Sequence, residues 1–191
     1  MNKTEPLAYR MRPKTLEEYE GQEHVIGPGK LLYRTIKADR LSSIILFGPP
    51  GCGKTSLAKV ISETTKYKFY KINAVTAGVS DIKKIVEETK NFMFNPAGKS
   101  ILFIDEIHRF NKLQQDALLP FVENGTIILI GATTENPYFE VNKALISRSM
   151  VIKLEPLTEK NIYNILKRAL TSKEGLGEYN VKIEDNTLMK I

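Results

Sequence analysis

Ser43-Ile44-Ile45-Leu46-Phe47-Gly48-Pro49-Pro50-Gly51-Cys52-Gly53-Lys54-Thr55 sets an apolar run against a glycine-rich turn, and the residues from Lys54 to Thr64 continue with helical period. The last eight residues fit G-x-x-x-x-G-K-[ST], and a strand before with a helix after is the context that pattern requires. Glycines let the backbone turn with φ > 0 and approach a ligand closely, so that successive N–H groups point at phosphate oxygens. The helix N-terminus adds the positive end of its dipole. Gly48, Pro49, Pro50, Gly51, Cys52, Gly53, Lys54 and Thr55 therefore read as a loop that grips the phosphates of ATP. Lys54 would sit on the β- and γ-phosphates, with the Thr55 hydroxyl a ligand of Mg²⁺. The bland alternative, a tight glycine turn without a ligand, needs the pattern and both flanks to coincide by chance. Cys52 fills a variable position of the pattern and reads as a filler, not as a redox group.

On either side of this turn, strand-like runs alternate with helical segments, the pattern of parallel βαβ units in an α/β fold. Strands are expected over Ser43 to Phe47, Phe69 to Ile72, Ser100 to Ile104, Thr126 to Ile130 and Met150 to Leu154. Their lack of alternation predicts burial on both faces. Helices are expected over Lys54 to Thr64, Asp81 to Asn91, Lys112 to Glu123 and Glu159 to Leu170. Gly125 closes the third, and Pro120 late within it should kink it or mark an irregularity. Thr158, after Glu155-Pro156-Leu157, is a candidate N-cap for a new helix. The first domain is accordingly placed at 1–157 and a second segment at 158–191.

Composition bounds the remaining possibilities. The chain has 191 residues, 42% of them hydrophobic and 26% charged, as a folded globular protein does. Its longest apolar stretches, such as Ile44 to Phe47 and Ile127 to Ile130, fall far below the roughly 18 residues of a membrane span. Met1-Asn2-Lys3-Thr4-Glu5-Pro6 has no apolar segment behind its lysine, so no secretory signal is read and a cytoplasmic location is expected. A single cysteine, Cys52, excludes an intrachain disulfide. A net charge of +6 with pI near 9.2 permits a polyanionic partner, but the charge is dispersed and carries little weight by itself.

Ile101-Leu102-Phe103-Ile104-Asp105-Glu106 is a second apolar run, this one ending in two acids at the carboxyl edge of the expected sheet, where open α/β folds bind ligands. Because neighbours on a strand point opposite ways, the acids are given different tasks. Asp105 is read into the Mg²⁺ shell and Glu106 as the base activating the water that attacks the γ-phosphate. His108 and His24 are read as surface or hydrogen-bonded residues.

With these residues in place, the chain resembles the AAA+ ATPases, and within them the replication-associated recombination family related to the Werner-helicase-interacting ATPases. The resemblance is carried by Pro6 to Pro13, Gly21-Gln22-Glu23-His24, the phosphate loop, Asp105-Glu106-Ile107-His108-Arg109-Phe110-Asn111, Gln114 to Pro120, and Gly131-Ala132-Thr133-Thr134-Glu135-Asn136-Pro137. It implies a P-loop NTPase core, a parallel five-stranded sheet sandwiched by helices, followed by the start of a helical lid. It also implies that Arg12, Pro13 and Gln22 belong to the adenine pocket, and that Thr133 or Thr134 is the sensor between sheet and γ-phosphate. Ser147-Arg148-Ser149 resembles the Ser-Arg-Cys motif of clamp loaders, whose arginine completes a neighbour's site, so Arg148 is expected to act in trans in a homo-oligomer. DNA that is single-stranded, gapped or forked is the implied partner, with single-stranded DNA-binding protein as a second. The family continues into a lid with a second sensor arginine; no Gly-Asp-Ala-Arg-Arg segment occurs before Ile191, so the chain is expected to be a fragment. Four alternatives remain open: a clamp-loader switch, a Holliday-junction motor, a helicase with an Asp-Glu-x-His box, and a protein unfoldase. The unfoldase is disfavoured because Asn73 to Asp81 carries no aromatic to grip a polypeptide.

Overall fold

Isoleucine, leucine and phenylalanine fill the central strands because both faces of the sheet are covered. In a computed structural model, which describes residues 5–65, 67–91, 93, 95–179, 181–183 and 185–188, the strands are Ser43–Phe47 (β1), Lys68–Asn73 (β2), Ser100–Asp105 (β3), Ile127–Thr133 (β4) and Ser149–Lys153 (β5). All pair in parallel, in the order β2-β3-β4-β1-β5. Side chains alternate between two apolar clusters: Ile44, Leu46, Ile101 and Phe103 enter one, and Ile45, Leu102 and Ile104 the other. Residues 1–4, which include most of the stretch read for a leader, and 189–191, the end of the second segment, lie outside the described residues.

Helices α1 (Leu7–Arg10), α2 (Glu23–Ile26) and α3 (Leu31–Lys37) precede β1. Helix α4 (Lys54–Thr65) joins β1 to β2, and α5 (Val79–Lys90) joins β2 to β3. Between β3 and β4 lie a 3₁₀ turn (Ile107–Arg109), α6 (Lys112–Asp116) and α7 (Leu119–Glu123). Helices α8 (Pro137–Glu140) and α9 (Lys143–Ile146) lead to β5, and α10 (Glu159–Thr171), a second 3₁₀ turn (Gly177–Tyr179) and α11 (Asp185–Leu188) follow it. Leu32, Ile36, Leu57 and Ile61 from α3 and α4 pack in the first cluster; Ile82, Ile85 and Val86 from α5, with Leu118 and Leu145, pack in the second. None of the helices among the described residues is long and apolar enough to cross a membrane.

Two expectations need correction. The two edge strands are not buried on both faces: every residue of β2 is at least partly exposed, and in β5 only Ile152 is buried. The helix expected over Lys112 to Glu123 is two short helices, because Pro120 has no N–H to donate and its ring crowds the carbonyl four residues back. Pro120 instead takes the second position of α7, where a missing donor costs nothing. Thr158 does cap α10, accepting from the Asn161 N–H at 3.2 Å in a reciprocal capping box.

Candidate active site

The strand order sets the site. With β4 between β1 and β3, the loop leaving β1 and the acid ending β3 meet around the end of β4, where Phe47 is level with Thr133 and the Gly48 N–H donates to the Thr133 carbonyl at 3.2 Å. Gly48 passes so near the Leu154 carbonyl that a Cβ would overlap it. Gly53, at φ +99°, leaves the space taken by the Tyr19 hydroxyl, which donates to its carbonyl at 3.3 Å. Burial pushes the Tyr19 phenol far above its ordinary range, so it stays a neutral donor. Gln22, buried at φ 64°, ties the loop to the segment that follows β5: its amide donates to the carbonyls of Cys52 at 3.3 Å and Glu155 at 2.7 Å and accepts from the Glu155 N–H at 2.9 Å. Lys54 is buried, and its ammonium donates to the loop carbonyls of Gly48 at 2.7 Å and Pro49 at 2.9 Å.

Asp105 closes β3, but Glu106 does not continue it. At φ 56° it turns into the left-handed region and opens the 3₁₀ turn, so a backbone turn rather than strand alternation separates the two carboxylates. Asp105 Oδ2 lies 3.5 Å from Lys71 Nζ, and Glu106 Oε2 lies 3.4 Å from His108 Nε2. Both acids line one cleft of about 320 Å³ with Pro50, Gly51, Lys54 and Thr55. The Thr55 hydroxyl and Asp105 carboxylate are hard oxygen donors of the kind Mg²⁺ takes alongside phosphate and water, and the donor set fits that ion.

Thr134 is exposed and lines this cleft, whereas Thr133 is fully buried, its Oγ1 accepting from the Glu135 N–H at 3.0 Å and lying 2.8 Å from His108 Nδ1. Arg12 and Pro13 line a larger cavity of about 770 Å³ that shares Thr55 with the cleft; Gln22 lines neither. Arg148 does not line the cleft of its own chain. It pairs with Glu123 of α7 at 2.6 Å and donates to the Ala144 carbonyl at 2.9 Å. His108, read as a surface or hydrogen-bonded residue, is nearly buried and hydrogen-bonded beside Glu106; the pairing of Glu123 with Arg148 had no signal in the sequence.

A family model described as "ATPase family associated with various cellular activities (AAA)" matches residues 44–156. The chain belongs to the AAA family. The matched span holds the phosphate loop, Asp105, Glu106, both threonines and Arg148; Arg12, Pro13 and Gln22 precede it. Among AAA relatives, the chain is 48% identical over 184 residues to "Replication-associated recombination protein A" of Haemophilus influenzae, covering 96% of itself and 41% of that protein. It is 48% identical over 187 residues to the protein of the same name from Escherichia coli K12, covering 97% and 42%. It is 48% identical over 165 residues to "ATPase WRNIP1" of Dictyostelium discoideum, covering 86% and 19%. The chain thus spans about two-fifths, 41–42%, of the bacterial relatives' length. Among solved structures it is similar to the Thermotoga maritima RuvB Holliday junction branch migration motor, at 29% identity and TM-score 0.73, covering 94% of itself and 58% of that chain.

Proposed function

We propose that this chain is the ATP-binding and hydrolysing core of a DNA-dependent AAA+ ATPase acting in replication-fork maintenance, recombination and DNA repair. The observation that carries the reading is the near-50% identity to replication-associated recombination proteins over almost the whole chain. The cleft supplies the chemistry. On this reading Lys54 exchanges its loop carbonyls for β- and γ-phosphate oxygens, and Arg12 and Pro13 approach the nucleoside from the N-terminal side. Gln22 supports the base pocket by holding the loop. Thr55 and Asp105 hold Mg²⁺, which when bound neutralises phosphate charge. Glu106 accepts a proton from the water that attacks the γ-phosphorus as the bond to the bridging oxygen breaks, giving ADP and phosphate. Thr134 is the sensor, since it lines the cleft whereas Thr133 is fully buried against His108. Arg148, turned from its own cleft, serves the next subunit of a homo-oligomer, and 158–191 begins the lid after a first domain at 1–157.

The protein works in the cytoplasm at the nucleoid, on single-stranded, gapped or forked DNA and beside single-stranded DNA-binding protein. A Holliday-junction motor is the second reading, favoured by the likeness to RuvB. The test is ATP turnover titrated separately with single-stranded, gapped and forked DNA, a four-way junction, a sliding clamp and an unfolded protein. Stimulation by gapped or forked DNA is expected. Stimulation confined to the junction moves the assignment to the motor class, and stimulation by clamp or unfolded protein alone overturns it.

A further inference from the structure

His108 carries only 8% side-chain exposure, yet both ring nitrogens face functional groups: Nε2 is 3.4 Å from Glu106 Oε2, and Nδ1 is 2.8 Å from Thr133 Oγ1. One assignment of the donors runs consistently through these groups. The Glu135 N–H already donates to Thr133 Oγ1 at 3.0 Å. A ring with its single proton on Nε2, toward the Glu106 carboxylate, would accept the Thr133 hydroxyl proton at Nδ1. In that tautomer every proton in the series Glu135, Thr133, His108, Glu106 points the same way. Its far end is fixed to the sheet, because the Thr133 carbonyl accepts the N–H of Gly48, the first residue of the phosphate loop, at 3.2 Å.

We propose that His108 is a positioning residue for Glu106, locked in one tautomer by Thr133 so that its Nε2–H holds the carboxylate at the mouth of the phosphate cleft. The 3.4 Å separation is an electrostatic contact longer than a formed hydrogen bond, so it orients the carboxylate without consuming the lone pair that takes the water's proton. Glu106 also leaves the sheet at φ 56°, where no ladder hydrogen bond fixes it, so its direction depends on such a neighbour. Loop and base are thereby aligned through a single strand end. The inference rests on Glu106 being the base, and the experiment separates the two.

The measurement pairs imidazole ¹⁵N spectra with single-turnover ATP hydrolysis and ATP affinity for the parent chain, His108→Ala, His108→Gln, Thr133→Val and the Ala/Val double variant, with Glu106→Gln as the control on the base. The parent ring is expected as the neutral Nε2–H tautomer, and in Thr133→Val as a mixture. Hydrolysis is expected to fall about tenfold in His108→Ala and in Thr133→Val, with no further fall in the double variant and ATP affinity within about twofold throughout. His108→Gln, whose amide nitrogen stands as many bonds from Cα as Nε2, should regain most of the rate. Parental hydrolysis in His108→Ala, additive losses, or an Nδ1–H ring in the parent would overturn the proposal while Glu106→Gln remains slow. A fast Glu106→Gln would instead remove the base itself.

Discussion

At the scale of the residue, Lys54 has a structural role beside the phosphate contact proposed for it, because its ammonium satisfies two carbonyls of its own loop. Lys54→Ala is expected to weaken ATP binding roughly 10- to 100-fold and also to cost about 1 kcal/mol of stability, read by titration and by denaturant melting of the same sample. Glu106→Gln preserves shape and backbone conformation; it should bind ATP as the parent does and hydrolyse it roughly 10² to 10⁴ times more slowly. Hydrolysis at the parental rate would move the base elsewhere. Tyr19 makes a pH prediction. Its folded pKa is raised by burial, so its contribution is fully present below the unfolded value of about 10 and is lost as pH rises above it. Stability of the parent should therefore fall above about pH 10 by up to about 1.4 kcal/mol per unit, and Tyr19→Phe should flatten that limb in pH-dependent melts.

At the scale of the element, α10 is tied to the N-terminal segment by Asn164, which donates to the Glu20 carboxylate at 3.2 Å, and more extensively by Arg168. Arg168 donates to the Met11 carbonyl and, at 3.0 Å, to the Glu18 carbonyl, and it lies 3.6 Å from the Glu18 carboxylate. Arg168→Ala is expected to cost about 1–3 kcal/mol in denaturant unfolding and to raise hydrogen exchange in α10 first, since the freed carbonyls lie between the two elements. Much at this scale was legible in the sequence: β1 runs over the residues read for it, and α4 ends one residue later than read, because an apolar run between Ser43 and the glycine turn leaves little freedom. Six short helices, α1 to α3, α8, α9 and α11, were not legible, being too short to show a 3.6-residue period. The exposed character of β2 was hidden for another reason: strand order is a long-range property, and an edge strand with Phe69, Tyr70 and Ile72 looks locally like a central one. The turn at Glu106 and its partner His108, held by a threonine 25 positions later, depend on the same long-range packing.

At the scale of the whole molecule, the role proposed for Arg148 depends on assembly. Paired with Glu123 and absent from its own cleft, it should matter little in a monomer and severely in an oligomer, where a trans arginine is commonly worth about 10³ to 10⁵ in rate. Arg148→Ala compared in this chain and in a protein of the relatives' full length, with light scattering to fix the oligomeric state, reads that difference. A large loss in a proven monomer would give Arg148 a role within its own chain. The central claim is that the cleft between the phosphate loop and the ends of β3 and β4 holds ATP with Mg²⁺, and the most direct measurement is a calorimetric titration of the folded chain with ATP, with and without Mg²⁺. One ATP per chain is expected, bound more weakly when Mg²⁺ is chelated and more weakly again in Lys54→Ala. A folded chain that takes up no ATP, or takes it up equally well without Lys54, would contradict the account.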